Sequence, residues 1–304
     1  MIEEEIPSAL AGERLDRIVA LLTAASRSDA ATLVAKGGAR VDDVVVLSGK
    51  MRISEGQRVS IDPILLPVVP LPKAEPLISL TVVHEDEHVV VIDKQPGLVV
   101  HPGHGHPTGT MVNGLLALYP EMATVGDPMR PGIVHRLDVG TSGLLIVART
   151  QRAYEVLVVA LSQRHVTRGY RALVWGHPES PHGVIDAPVG RDHRDPMRMG
   201  VVIDGKPART RYSTVNSFTR PVELSELECH LETGRTHQIR VHLAAIGHPV
   251  VGDGAYGGIR TGVTSPRPFL HAAALGFEHP VSREALAFTS PLPDDLGSIL
   301  SELR

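Results

Sequence analysis

The chain has 304 residues, 42% of them hydrophobic, which suffices for one large domain with a small one or for two medium domains. Its single cysteine, Cys229, excludes an intrachain disulfide framework and a CxxC zinc site. The acidic N-terminal segment lacks the pattern of a signal peptide, and every apolar run falls short of the roughly 18 residues of a membrane span. We therefore expect a soluble cytoplasmic protein with no membrane partner.

The charge is unevenly distributed along the chain. The net charge is −4, which argues weakly against a nucleic-acid partner, but residues 130–211 hold 13 Lys and Arg against 7 Asp and Glu. Phosphate binding depends on the local potential rather than on the total charge. This segment therefore fits either a nucleic-acid contact or a solvated basic surface.

Residues 12–61 are predicted to form a small α/β unit. In "GERLDRIVALL" the apolar residues recur at helical spacing, and a second helix is expected to begin at Ser28 as N-cap and to end before Gly37. Short strands follow. Residues 62–79 include five prolines within "DPILLPVVPLPKAEP" and predict an extended linker, so the second domain is expected over 80–304.

The second domain is predicted to consist mainly of strands with a few helices between them. Strands are predicted at "HVVVID", "GLLIVAR", "GYRALVWG", "ARTRYSTVNSF" and "SELECHLE". Helices are predicted at "TMVNGLLALYP", at "TQRAYEVLVVALSQR" with Thr150 as N-cap, and from Thr236 to Ile246. Because the elements do not alternate regularly, we predict an α+β fold with a mixed, mainly antiparallel sheet and flanking helices.

Two charged residues are candidates for chemistry. Asp138 lies in "HRLDVGTSGL", a turn that would leave its side chain exposed at the start of a buried strand, although aspartates in turns usually satisfy nearby backbone amides. Arg235 directly precedes the predicted helix at 236–246. It could pair with a carboxylate and keep it ionised, bind phosphate, or have no role at the surface. The segment "RTHQIRVH" carries too many polar groups for an ordinary core helix and indicates a functional rim.

The loop "HPGHGH" raises the question of a metal site, because His101, His104 and His106 are closely spaced. The intervening Pro and Gly describe an irregular loop, and no HxxxH or HExxH helix accompanies it. We expect hydrogen-bonded or exposed histidines and no metal. The sequence "GTSGL" around Ser142 is not the GxSxG elbow of a hydrolase.

Four motifs in order resemble the RluA/RluD family of pseudouridine synthases. They are "DKQPGLVVHPGHGHPTGTMVNGLL" (93–116), "GIVHRLDVGTSGLLIVART" (132–150), "RHVTRGYRALVWG" (164–176) and "LETGRTHQIRVHLAAIGHPVVGDGAYG" (231–257). The likeness covers nearly all of residues 80–290. The small domain, with "ERLD", "SRS" and "GARVDD", resembles the S-four-type RNA-binding domain that often precedes such catalytic domains.

The resemblance implies an enzyme that isomerises uridine in RNA after flipping the nucleotide out of its stack. Asp138 matches the aspartate that bonds covalently to the nucleotide, and Arg136 matches the arginine that fills the vacated place. Tyr170 matches the tyrosine that stacks on the base and assists proton removal from carbon 5. Arg235 matches the basic partner of the aspartate. The remaining implied substrate-binding residues are Thr141, Ser142 and Gly143 in the turn and His237, Gln238 and Arg240 on the rim.

The implied partner is RNA, most specifically large-subunit ribosomal RNA, free or within an assembling subunit, bound by a monomer without cofactor or metal. RNA contacts of the small domain are assigned to its basic residues, although residues 12–60 hold only 8 Lys and Arg against 6 Asp and Glu. These basic residues are Arg14, Arg17, Arg27, Lys36 and Arg40.

Two other functions stay open from the sequence. One is a non-catalytic RNA-binding or ribosome-assembly factor that keeps the fold, which the presence of Asp138, Tyr170 and Arg235 disfavours. The other is a metal-dependent hydrolase built on the histidine loop.

Overall fold

The computed structural model describes residues 1–66, 70–103, 105–195 and 197–304. The chain divides into two compact units, Met1–Pro70 and Leu71–Arg304. The predicted linker, 62–79, is therefore too long at its C-terminal side, because the last part of it packs within the larger unit. There the side chain of Asn113 donates to the carbonyl of Lys73 at 2.7 Å. Residues 67–69 of the predicted linker lie outside the described residues.

The first unit is a four-stranded antiparallel sheet with two helices. Strand order is β1-β4-β2-β3. The elements are β1 (Ile2–Glu5), α1 (Leu15–Thr23), α2 (Arg27–Ala35), β2 (Ala39–Val41), β3 (Val44–Val45) and β4 (Arg58–Ile61).

The unit begins earlier than the predicted boundary at residue 12, because the acidic N-terminal segment forms β1. This strand pairs with β4 from Ile2 opposite Ile61 to Glu5 opposite Arg58. Helix α2 starts after Ser26 rather than Ser28, since the Ser26 hydroxyl accepts from the amide of Asp29 at 3.1 Å. Within the described residues no single helix is long and apolar enough to cross a membrane, and α1 with α2 meets those criteria only as a pair bent by 113°.

The second unit contains eleven strands, four α-helices and one 3-10 helix (Pro120–Thr124) in the part of the chain that the structure describes. The strands are β5 (Thr81–Glu85), β6 (Val89–Lys94), β7 (Ser142–Ala148), β8 (Thr167–Trp175), β9 (His182–Asp186), β10 (Val189–Arg191), β11 (Met199–Val201), β12 (Arg209–Phe218), β13 (Leu224–Leu231), β14 (Leu270–Glu278) and β15 (Ala285–Thr289). The helices are α3 (Met111–Leu118), α4 (Gln151–Ser162), α5 (Gln238–Ala245) and α6 (Asp294–Ser301).

Nine of these strands form one sheet in the order β5-β6-β7-β14-β8-β13-β12-β9, with β15 paired to β14, while β10 and β11 form a separate hairpin. Strands β7 and β14 run parallel, and the other recorded pairs in the described residues are antiparallel. The predicted α+β class with a mixed, mainly antiparallel sheet is confirmed.

The sheet is buried on both faces around β6 and β7. Alternate residues of these strands belong to two different hydrophobic clusters: Leu145 and Val147 pack on the side of α3, while Leu144 and Ile146 pack on the side of α4. A strand covered on both faces has no polar side, which explains the uninterrupted apolar run "LLIVA". Helix α4 begins at the predicted cap, because the Thr150 hydroxyl accepts from the amide of Ala153 at 3.3 Å.

Candidate active site

A cleft of about 560 Å³ opens in the second unit at the start of β7. Its walls come from the loop before β7, from the beginning of β8 and from the segment that leads into α5. This volume lies in the range of ligand-binding pockets. Of the predicted site residues of this unit, the lining includes Arg136, Asp138, Thr141, Tyr170, Arg235, His237, Gln238 and Arg240.

Asp138 is held in a tight turn just before β7. Its carbonyl accepts from the amide of Thr141 at 3.0 Å, and its carboxylate is 16% exposed toward the cleft. The prediction that Ser142 and Gly143 belong to this turn is wrong, since both residues lie in β7. The Ser142 hydroxyl contacts the ring of His271 on β14 at 2.9 Å.

Gly143 lets β7 and β14 approach each other closely. Its φ is +108°, and a Cβ at this position would lie 2.3 Å from the carbonyl oxygen of Ala272. Only glycine fits both the backbone conformation and the space. Gly143 thereby fixes the strand from which the Asp138 turn projects.

The partner of Asp138 is Arg240, not Arg235 as predicted. The Arg240 guanidinium donates to the Asp138 carboxylate at 3.1 Å. Helix α5 begins at Gln238, so Arg240 lies in its first turn and faces the cleft. Arg235 lies before the helix, where its exposed side chain donates to the carbonyl of Pro207 at 3.1 Å.

A second carboxylate, which the sequence reasoning missed, orients Arg240. Asp253 is fully buried and accepts from Nε and Nη2 of Arg240 at 2.6 and 2.8 Å. Burial lowers the pKa of the Arg240 guanidinium, but Asp253 and Asp138 outweigh this effect and raise the pKa above its ordinary value. Arg240 is thus a permanent cation held between two carboxylates. The available signal was Asp253 itself, in the quoted segment "GDGAYG".

His237 and Gln238 position the start of α5. His237 has a left-handed backbone, its ring contacts the Tyr256 hydroxyl at 2.8 Å, and its Nε2 lies 4.0 Å from Asp138. The Gln238 amide makes four hydrogen bonds within the protein, to Thr233, Arg235, Arg209 and Thr210. The amide is therefore engaged in holding the loop before the helix together.

Tyr170 lies in β8 and lines the cleft while remaining 5% exposed. Burial raises the pKa of its phenol to about 12, with Arg168 opposing and Asp138 adding to this shift. The phenol is therefore protonated at neutral pH. Arg136, two residues before Asp138, is exposed and lines the cleft.

Lys94 is a further residue that the sequence reasoning missed. Its side chain is buried, and its ammonium donates to the carbonyls of Gln95, Leu98 and Val139 at 2.9, 3.0 and 3.4 Å. Burial lowers its pKa to about 8, although Asp138 acts in the opposite direction. Lys94 ties the loop after β6 to the residue that follows Asp138.

The basic residues of the small unit are only partly available to RNA. Arg14 and Arg27 both lie beside the Asp16 carboxylate, and Arg17 pairs with Glu13 at 2.7 Å. The remaining two of the predicted set are exposed: Lys36 and Arg40.

The predicted absence of a metal site on the histidine loop stays a prediction. His101 lines the cleft and its ring contacts the carbonyl of Pro102 at 2.9 Å, while His106 is exposed. His104 lies outside the described residues. Among those that are described, no group of three or more His, Cys, Asp or Glu residues is arranged to hold a metal ion.

Comparison with known proteins identifies the family and the fold. The model of the RNA pseudouridylate synthase family matches residues 88–245. An uncharacterized RNA pseudouridine synthase of Chloroflexus aurantiacus is 53% identical over 212 residues, which are 70% of this chain and 66% of that protein. Ribosomal large subunit pseudouridine synthase D of Nitrosomonas europaea is 44% identical over 313 residues, covering 100% of this chain and 88% of the relative.

Among solved structures, human RNA pseudouridylate synthase domain containing 1 is similar with a TM-score of 0.58 and 27% identity. The match covers 73% of this chain and 86% of the human one. The chain therefore belongs to the RNA pseudouridylate synthase family, whose members are isomerases that act on RNA.

Proposed function

We propose that this protein converts uridine to pseudouridine in large-subunit ribosomal RNA, with Asp138 as the nucleophile. One observation carries the proposal: the Asp138 carboxylate faces the cleft and is paired with Arg240, while Tyr170 lines the same cleft. A nucleophilic carboxylate must be ionised, and a permanent cation at 3.1 Å favours the ionised form. The name of the Nitrosomonas europaea relative supports ribosomal RNA as the substrate.

The target nucleotide has to leave its stack before it can reach Asp138, at a cost of a few kcal/mol. The cleft accepts the flipped nucleotide, whose base stacks on the ring of Tyr170. Arg136 lines the same cleft and is exposed, so it is free to occupy the gap left in the RNA. Exposed Arg235 lines it as well and contributes positive potential for the phosphates.

The reaction conserves all atoms of the nucleotide. Asp138 assists breakage of the C1′–N1 bond by attacking the sugar or the base, and the bonding electron pair leaves with the uracil. The base turns, C5 forms the new bond to C1′, and the bond between Asp138 and the nucleotide breaks, which regenerates the carboxylate. C5 then loses its proton and N1 gains one. Tyr170 enters this sequence as a protonated phenol, because burial raises its pKa to about 12.

The enzyme is expected to act as a cytoplasmic monomer on free ribosomal RNA or on an assembling subunit. Light scattering after size exclusion measures the oligomeric state. Parallel assays on deproteinised RNA and on immature particles show which form of the RNA is the substrate.

The central test is tritium release from ribosomal RNA labelled at C5 of uridine. We expect release by the wild type and by Asp204→Asn, a control carboxylate on an exposed loop, and no release by Asp138→Asn. Chemical mapping of the product RNA then locates the target uridine. Absence of release by the wild type on every substrate would favour a non-catalytic RNA-binding role, and equal release by Asp138→Asn would remove Asp138 as the nucleophile.

A further inference from the structure

Arg168 is a buried arginine to which the described residues offer no carboxylate partner. It lies in β8 with 7% of its surface exposed, and its Nε has no hydrogen-bond partner in the part of the chain that the structure describes. Its Nη2 reaches the carbonyl of Leu231 only at 3.4 Å. Within the described residues, no carboxylate oxygen is recorded within 4.0 Å of its guanidinium.

Other arginines with similarly covered side chains are neutralised by acids. Arg240, with its side chain 10% exposed, is held by Asp253, and Arg267, 9% exposed, is held by Asp295 at 2.6 and 2.9 Å. A buried charge without a partner is costly, since it loses its hydration without compensation. The free-energy cost of burying the Arg168 charge without a partner therefore indicates that the substrate brings the partner group with it.

The surroundings of Arg168 leave room for that group in the cleft. Arg168 and Tyr170 are two positions apart on β8, so they share a face of the strand, and both line the cleft. Arg171, on the opposite face of β8, forms an ion pair with Glu226. Gly234 allows the guanidinium to come close, because a Cβ there would lie 2.8 Å from Nη1 of Arg168.

The burial of Arg168 favours a contact with the base of the substrate over a contact with its phosphates. The cleft arginine suited to phosphates, Arg235, is exposed. Arg168 is covered and lies on the same strand face as Tyr170, on which the base is proposed to stack. The nearest electronegative atoms of a uracil stacked there are its carbonyl oxygens.

We propose that Arg168 donates hydrogen bonds to a carbonyl oxygen of the flipped uracil and stabilises the negative charge of the departing base. This inference rests on the proposed function. When the C1′–N1 bond breaks, its electron pair stays on N1 and is delocalised onto O2 and O4. A fixed guanidinium in a covered site stabilises such charge more in the transition state than in the ground state.

The first experiment separates chemistry from RNA binding with Arg168→Met, Arg168→Lys and the control Arg152→Gln, which removes an exposed charge of the same basic segment. We expect Arg168→Met to lower the single-turnover rate at saturating RNA by about 10²- to 10³-fold. Its Kd for RNA should stay within about threefold, and its Tm should equal or exceed that of the wild type, because an unpaired buried charge is gone. Arg168→Lys should recover part of the rate.

The second experiment identifies the oxygen. RNA carrying 2-thiouridine or 4-thiouridine at the mapped target replaces one carbonyl oxygen with sulfur, a weaker acceptor. The wild type should lose rate on one of the two substrates, and Arg168→Met should lose nothing further on that same substrate.

Four results would overturn the inference. Unchanged tritium release by Arg168→Met, measured beside an active wild type, would refute the role of Arg168 and leave the proposed function intact. A weakened Kd with a smaller salt dependence and an unchanged saturating rate would make Arg168 a phosphate ligand. Fully additive losses with both thio substrates would exclude a carbonyl contact. An inactive wild type would remove the proposed function and this inference together.

Discussion

Asp253→Asn tests whether the arginine beside Asp138 depends on its second carboxylate. Asp253 is fully buried behind Arg240 and accepts two of the three hydrogen bonds that this guanidinium donates to carboxylates. The substitution keeps the size of the side chain but removes its charge and one acceptor oxygen.

The expected magnitudes follow from that geometry. Breaking a buried ion pair from one side costs about 3–5 kcal/mol, which corresponds to a Tm decrease of roughly 6–20 °C in a unit of this size. Because Asp253 fixes the direction of Arg240, we also expect the saturating single-turnover rate to fall by about 10²-fold. RNA affinity should change little, since Asp253 is covered by Arg240.

The assay is tritium release at saturating RNA, run well below the melting temperature of the variant so that unfolding does not contribute. Asp204→Asn, whose carboxylate is 70% exposed, is the matched control and should behave as the wild type in both measurements. A folded Asp253→Asn enzyme with a rate within threefold of the wild type would show that Arg240 does not need Asp253 for its role beside Asp138.

Three further predictions concern the surroundings of the site. Tyr170→Phe should bind RNA as the wild type does, because the ring is kept, whereas Tyr170→Ala should weaken binding by about 1–3 kcal/mol in a filter-binding assay; equal affinities for both variants would contradict stacking. Gly143→Ala should lower the Tm, because its Cβ meets a backbone carbonyl at 2.3 Å, whereas Gly297→Ala, in α6 with open space around it, should stabilise by up to about 1 kcal/mol; the reverse order in thermal melts would refute the argument. Lys94 has a folded pKa of about 8, below its unfolded value of about 10.4, so its unfavourable contribution is fully present well below pH 8 and disappears as the pH rises above about 10.4. The unfolding free energy of the wild type relative to Lys94→Met should therefore rise by about 2 kcal/mol between pH 7.5 and 10 in urea titrations, and a constant difference would contradict the shift.

Much of the local structure could be read from the sequence because its causes are local. The apolar run of β7 and the Thr150 cap of α4 are visible in a few neighbouring residues. The acidic strand β1 was missed because its charged residues lack the apolar alternation typical of a strand. Its stability comes from pairing with β4, more than fifty residues away. The cap of α2 was misplaced by two residues because "SRS" offers two serines, and only the helix path selects Ser26.

The site could be predicted as a set of residues but not as a set of contacts. Asp138, Tyr170 and Arg136 were singled out from the sequence and line one cleft, and Arg235 and Arg240 lie in one short polar segment. Which of the two arginines reaches Asp138 depends on where α5 begins and on the left-handed backbone of His237. Neither property has a strong local signal.

The sequence by itself determined that a carboxylate lies in a polar turn before a buried apolar strand, with a basic helix start about 100 residues later. The tertiary structure alone decided that Arg240 bridges Asp138 and Asp253, that Lys94 closes the loop beside them, and that Arg168 has no carboxylate partner among the described residues. The physical reason is that hydrogen bonds and ion pairs act over a few ångströms, whereas the residues they join are up to 102 positions apart along the chain.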